Sequence, residues 1–228
     1  MLRDEAVARI HNNLGYRPLG TSLQGGVETR LQRAQEYMEQ GKSLPWFLLQ
    51  LDATFTLFVG NSAFALPVGF IRESDESRLH VLGSSPIHYL SRRYTIDGMQ
   101  AYQLATDSIM PSVYAIRRQM NATPAPGVKT TPSPGVVEFF RTFGQNYTFE
   151  WDYYKKDAPL TSNIENNWLR EAPEVLIGLA GASVAHDLHN TEAEQGFVQL
   201  FQDRYKALFG EMIAQEEASQ PLQMGANL

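Results

Sequence analysis

The stretch His186-Asp187-Leu188-His189 holds the side chains that most readily bind a metal: two imidazoles an i,i+3 step apart, a carboxylate between them and Glu192 close behind. A catalytic zinc centre takes about three protein ligands and keeps one position open, so His186 and Asp187 could begin the site of a metal-dependent hydrolase. The remaining ligands are missing. The favoured reading is a polar helix end with its histidines at the negative pole of the helix dipole. Lys155, Lys156 and Asp157 could form a Lys/Asp catalytic set, or they are the solvated charges of a strand exit. Arg92-Arg93 and Arg117-Arg118 could contact phosphate, but pairs this short read as surface charge. The aromatic run over 147–154 could stack bases or sugars. Its strict alternation reads instead as one buried face of a strand. No G-x-G-x-x-G, no G-x-x-x-x-G-K-[ST] and no G-x-S-x-G occurs in the chain. The expectation is a protein with no catalytic residues, no metal and no cofactor, and not an enzyme.

The bulk composition narrows the classes further. The chain has 228 residues, 43% hydrophobic and 11% aromatic, enough to build a substantial core. There are no cysteines, which excludes disulfides, thiolate metal sites and a cysteine nucleophile. MLRDEAVARIH lacks the apolar core of a signal peptide, and no apolar run is long enough to suggest a membrane span. Charge is uneven along the chain. Residues 1–51 carry 6 basic and 5 acidic side chains, residues 52–156 carry 10 and 9, and residues 157–228 carry 3 and 11. The net charge of −6 therefore belongs to the C-terminal third, and no basic footprint for tight nucleic-acid binding stands out.

The elements that must position these residues follow from periodicity. Val7, Ile10 and Leu14 predict a helix over 3–14, with Asp4 and Glu5 in its first turn. Leu23, Val27, Leu31, Ala34 and Met38 predict a second over 23–40. The run Leu44–Leu49 is strongly apolar and suits a core cap or a contact. From 52 the period changes to two. Strands are expected at 52–59, 63–66, 79–83, 113–118, 136–141 and 147–155. Gly60-Asn61 signals a hairpin between the first two, and Gly144 suits a hairpin loop between the last two. Residues 87–94 are expected to form a short helix. The segment NATPAPGVKTTPSPG, 121–135, carries four prolines and two glycines and reads as a long exposed loop.

The helical period returns at 162. Ser162 with Glu165 and Thr191 with Glu194 match capping boxes, and Pro173 should kink or restart the first of these helices. Gly178-Leu179-Ala180-Gly181-Ala182-Ser183 is small enough for another helix to approach closely. The last helix, over 192–217, carries Phe197, Leu200, Phe201, Tyr205, Leu208, Phe209, Met212 and Ile213 on its apolar stripe, and SQPLQMGANL then reads as a flexible tail. In this frame KDAPLTSNIENNWL, 156–169, is a joint: the strand ends, Pro159 turns the chain, a helix is capped and Trp168 anchors it. The fold class is α+β. Terminal helices from 1–51 and 157–228 form a bundle, and a β domain over 52–156, bearing the Pro-rich loop, is inserted between them.

Three segments carry a family resemblance: RDEAVARIHNNLGYR, LPWFLLQLDATFTLFVGNSAFALPVGFIRE and YYKKDAPLTSNIENNWLREAPEVLIGLAGASVAHDL. In this order they resemble the head-to-tail adaptor (connector) proteins of tailed bacteriophages. The resemblance covers nearly the whole chain except roughly 95–135, and it rests on the combination of motifs. It implies a structural virion protein that forms a ring, commonly of twelve copies, below the portal. The ring would extend the DNA channel, pass DNA without specific binding, and attach tail tube, nozzle or fibre proteins. It further implies assembly in the bacterial host cytoplasm and residence in the phage neck. On this reading Leu44, Trp46, Phe47, Pro126, Pro134, Pro221, Leu222 and Met224 are candidate partner contacts. Glu211, Glu216 and Glu217 are candidate channel-facing acids, since a negative wall would repel the phosphate backbone. The alternatives are another neck or tail ring protein, of stopper, terminator or tail-tube type, and the hydrolase built on His186 and Asp187.

Overall fold

The computed structural model describes residues 1–15, 21–74, 78–93, 110–117, 135–139, 143–161 and 165–219, with the backbone alone at 21–25 and 211–219. Helices at both ends flank a strand-rich middle, so the α+β class holds. The chain divides into two compact units. One, the helical unit, joins Met1–Leu48 to Asp157–Leu228, and the other, the β unit, is Leu49–Lys156.

The helical unit contains α1 (Arg3–Asn13), α2 (Thr21–Glu39), α3 (Asn167–Glu171), α4 (Pro173–Asp187) and α5 (Thr191–Ser219), with a 3-10 turn at Trp46–Leu48. Helix α4 is its centre. Val175, Leu176, Ile177, Gly178, Ala180, Gly181, Val184 and Ala185 are all buried, and a helix apolar on every side has to be enclosed by others. α5 and α2 pack against it, with smaller contacts from α1 and α3. The small residues of α4 fit as their sequence predicts. A Cβ on Gly178 would lie 2.8 Å from the Phe201 backbone nitrogen, and one on Gly181 would lie 2.4 Å from the Phe197 ring. Pro173 restarts the helix: α3 ends at Glu171, and α4 opens with the proline where its missing N–H costs nothing.

The caps differ from their expected positions. Ser162 lies outside the described residues, and the side chain that caps α3 is Asn166, whose Oδ1 accepts from the Leu169 N–H at 3.3 Å. At α5 the cap is Asn190, accepting from the Ala193 N–H at 3.2 Å, so Thr191 is the first helical residue. Asparagine satisfies orphan N–H groups as well as serine or threonine does, and the capping-box pattern placed the start one residue late at α5.

The β unit is two sheets packed on an aromatic core. Its strands are β1 (Leu49–Leu57), β2 (Ala63–Ala65), β3 (Phe70–Glu73), β4 (His80–Val81), β5 (His88–Tyr89), β6 (Ser91–Arg92), β7 (Val113–Arg117), β8 (Val136–Phe139) and β9 (Tyr147–Lys155). One sheet runs β1-β9-β4-β5 with β3 also on β9, and the other runs β2-β8-β7-β6. Tyr147, Phe149, Trp151 and Tyr153 are buried on alternate positions of β9. Phe139 stacks on Phe149 at 5.1 Å and Phe64 on Phe55 at 5.3 Å, each pair joining the two sheets.

Both expected hairpins are corrected here. β1 pairs with β9 and β2 with β8, so the Gly60-Asn61 turn carries the chain from one sheet to the other. The β8-to-β9 connection does the same. The two crossovers hold each other: the Gly60 N–H donates to the Phe143 carbonyl at 3.0 Å and the Val59 N–H to Asn146 Oδ1 at 2.8 Å. Turn residues specify a reversal, whereas burial of the aromatic faces decides which strands become neighbours. The expected helix over 87–94 is likewise replaced, by the short strands β5 and β6.

Substituting Gly178 with Ala should destabilise the protein by about 1–3 kcal/mol, because its nearest neighbour is backbone and cannot step aside. Gly196→Ala, with open space around its α-carbon, should be neutral or stabilising by up to about 1 kcal/mol. Urea denaturation followed by circular dichroism measures both.

Candidate functional site

The polar stretch that follows β9 is built inward. Lys155 and Lys156 are exposed and end the strand, but the next residues tie into a buried network on the helical unit. Glu39, Gln35 and Asn166 are 3%, 1% and 0% exposed. Glu39 Oε1 accepts from Gln35 Nε2 at 2.8 Å and from the Asp157 N–H at 3.1 Å. Gln35 Nε2 also donates to the Ala158 carbonyl at 3.2 Å, and Gln32 Oε1 accepts from the Leu160 N–H at 2.9 Å. Asn166 donates to Gln35 Oε1 at 3.2 Å and to the Ala158 carbonyl while it caps α3. Asp157 completes the set, with Oδ2 accepting from the Trp168 N–H and Oδ1 from Asn167 Nδ2, both at 3.1 Å.

The chain passes between units at Leu48–Leu49 and at Lys156–Asp157. Both crossings are fixed to one residue of the helical unit. Asp157 holds the Trp168 backbone, and Phe47 packs edge-on against the Trp168 ring with centroids 5.0 Å apart. Asp157 is thus a helix-start acceptor, and the carboxylate of the Lys/Asp set is used up in structure.

The other sequence candidates disperse in the same way. Asp187 pairs with Arg30, which also reaches the Ser183 hydroxyl. His186 is exposed and faces Glu194 Oε1 at 3.1 Å, and His189 sits in the turn after α4 at φ 52°. His186 and Asp187 therefore hold different partners and do not converge on a point. Among the described residues no group of three or more His, Asp or Glu stands close enough to hold a metal. Arg92 pairs with Glu73 at 2.5 Å, where the Tyr114 hydroxyl also donates at 2.6 Å, and Arg117 pairs with Glu138 at 2.6 Å. Arg118 lies outside the described residues. The aromatic face of β9 is core, so it presents no rings to a ligand.

Of the expected contact residues, Leu44 is enclosed in the core at 1% exposure, Phe47 is half-buried on Trp168, and Trp46 is 58% exposed. Pro126, Pro134, Pro221, Leu222 and Met224 lie outside the described residues. Glu211, Glu216 and Glu217 fall on the last turns of α5, where only the backbone is described. Sequence reasoning missed a second surface. Phe58, Val59, Leu82 and Ile87 are exposed together at the end of the β unit where β1 stops and β9 starts. The Leu82 N–H bonds the Thr148 carbonyl and the Val59 N–H bonds Asn146. The signal was present in turn sequences without charge, FVGN and LGSSPI.

The geometry thus offers contact surfaces and a buried polar network, with Asp157, Asp187, Arg92 and Arg117 each held by partners within their own unit. A family model, SU10 adaptor protein, matches residues 4–225. The chain belongs to the SU10 adaptor family. The resemblance to head-to-tail adaptors of tailed phages, first carried by LPWFLL and KDAPLTSNIENNWL, is borne out. Comparison with curated proteins finds no match. In this adaptor the motif that carried the resemblance is the polar joint itself. No helix among the described residues is long and apolar enough to cross a membrane.

Asn166→Ala should cost about 2–4 kcal/mol, since it removes a cap and strands buried partners on Gln35 and Ala158. His186→Ala should change stability by less than about 0.5 kcal/mol. Denaturant midpoints of the two variants check the contrast.

Proposed function

We propose that this adaptor is a structural protein of the virion neck, whose copies close into a ring, commonly of twelve, beneath the portal. The ring extends the DNA channel and gives tail tube, nozzle or fibre proteins a platform. The family match over residues 4–225 carries this reading. The chain works by contact and carries out no reaction, and DNA passes through the ring without specific binding. Assembly takes place in the host cytoplasm.

The charge distribution supports the channel role. Residues 157–228 hold 11 acidic and 3 basic side chains, and Glu211, Glu216 and Glu217 are the proposed lumen-facing acids. A wall of that sign repels the phosphate backbone, so DNA slides without sticking. Trp46 and Phe47 beside Leu44, and the Pro-rich loop with Pro126 and Pro134, are the proposed contacts with neighbours and tail proteins. Pro221, Leu222 and Met224 are the proposed anchor on the portal.

Native mass determination of the protein alone and with portal rings tests the assembly. The expected product joins the portal at one adaptor per portal subunit, and a stable monomer that ignores the portal overturns the reading. A chain ending at Ala218 should fold normally and fail to attach; unimpaired attachment removes the tail from the interface. Replacing Glu211, Glu216 and Glu217 with Gln should leave assembly intact and slow DNA ejection, which a fluorescence ejection assay would show.

A further inference from the structure

Strand β1 ends its sheet on one side. It pairs with β9 along one edge, and among the described residues no backbone group bonds to its other edge. The register shows which groups are left over. The Leu82 N–H donates to the Thr148 carbonyl and the Ser74 N–H to the Asp152 carbonyl, so Thr148, Glu150 and Asp152 turn their backbone away from β1. Thr56 lies opposite Thr148, and Thr54 opposite Glu150. In an antiparallel ladder both members of such a pair point outward, so the N–H and C=O groups of Thr54 and Thr56 line the open edge. Both threonines are exposed. Phe55 and Leu57 bond β9 instead, and their side chains pack on the core.

Proteins usually guard an exposed edge with a charge, a proline or a bulge. The first half of β1 has such a guard. The register shifts between Gln50 and Ala53, Asp52 sits at φ 51°, and its N–H turns to Asp152 Oδ1 at 2.8 Å. The second half has none. Residues 53–66 contain no Lys, Arg, Asp, Glu or Pro. The strand also runs directly into Phe58 and Val59, which are 59% and 57% exposed. The open backbone groups and the apolar end are thus one continuous surface.

We propose that the edge over 53–59 takes an added β-strand from a separate protein that attaches to the ring. Main-chain bonds to Thr54 and Thr56 hold that strand, and side-chain pockets select it. The occupant is an extended, uncharged segment. It alternates polar side chains beside Thr54 and Thr56 with apolar ones on the Phe55 side, and it ends on Phe58 and Val59. A charged segment would lie along a stretch that offers no counter-charge. A second copy has no suitable strand. β2, β3, β5 and β6 are four residues long or shorter, and β1 on β1 would close a two-fold pair, which does not repeat around a ring. The proposal rests on the reading that tail proteins use the ring as a platform, and it names the contact by which one of them attaches.

Two substitutions test the edge. Thr56→Pro removes an outward N–H without breaking the β9 ladder, and Thr54→Lys sets a charge on the edge. Both variants should fold, as circular dichroism would show, and should join portal rings as the wild type does. Purified tail tube, nozzle and fibre proteins are then added to those rings one at a time. For one of them binding should fall at least tenfold with either variant. Residue-resolved amide exchange on the wild type gives a second readout, which decides alone if a variant fails to fold. The Thr54 and Thr56 amides should exchange fast in the free protein and in the portal-bound ring, and at least tenfold more slowly once that tail protein is bound. Unchanged binding by both folded variants overturns the contact. Slow exchange of these amides before any tail protein is added also overturns it, because the edge is then covered by this chain or by a second copy. Wild-type rings that bind no tail protein defeat the platform reading, a distinct result, and this contact falls with it.

Discussion

A carboxylate taken out of water must be met by hydrogen-bond donors, and Glu39 meets them in Gln35 and in the backbone of Asp157. This buried acid at the end of α2 gives the returning chain one place to dock. Asn166 fills the remaining acceptor and donor sites of the same network, and its second role as the α3 cap fixes the position of Trp168. Phe47 then packs on that ring, which brings the outgoing crossing to the same point. An unsatisfied buried polar group costs about 1–3 kcal/mol, so each member of the set holds the others in place. An apolar joint could have been as stable, but it would not have required these particular donors and acceptors to meet.

The helices were legible because burial dictates their spacing. Val27, Leu31, Ala34 and Met38 are buried on α2 at the steps that announced them, and the glycines of α4 meet the aromatic residues of α5. β9 was legible for the same reason, with four aromatic residues on alternate positions and all four enclosed. Strand partners were not. A glycine-asparagine turn looks the same whether the chain reverses within a sheet or crosses to the facing one, and only the long-range stacking of Phe55 on Phe64 separates the two. The joint was read as a joint, but Asn166 was invisible as its keystone, because the Gln35 Oε1 that accepts from it lies 131 positions away. The contact residues show the same limit. Leu44, Trp46 and Phe47 are equally apolar in sequence, and the fold gives them three different environments.

Placing α4 between α2 and α5 has an effect on the surface as well as on the core. The middle of the central helix is buried, so much of the exposed character of the helical unit is set by the helices on either side. One side comes from the balanced N-terminal third and the other from the acidic C-terminal third. A subunit with two unlike sides can take part in directional assembly without any special device. Arg92, Arg117 and Asp187 are paired within the chain.

The interrupted layout of the helical unit bears on how the chain folds. Asp157 meets Glu39 across 118 positions, a long loop to close if the intervening chain is unstructured. β1 and β9, however, pair so that Leu49 lies opposite Tyr154. Once the β unit has formed, the two ends of the helical unit emerge side by side, and the effective loop shrinks to about ten residues. Loop-closure entropy grows with the logarithm of length, so this shortcut lowers the cost by about 2 kcal/mol. The order of synthesis favours it too, because the β unit is complete before α3 exists. The pairing of β1 with β9 thus shortens the loop that joins the two parts of the helical unit.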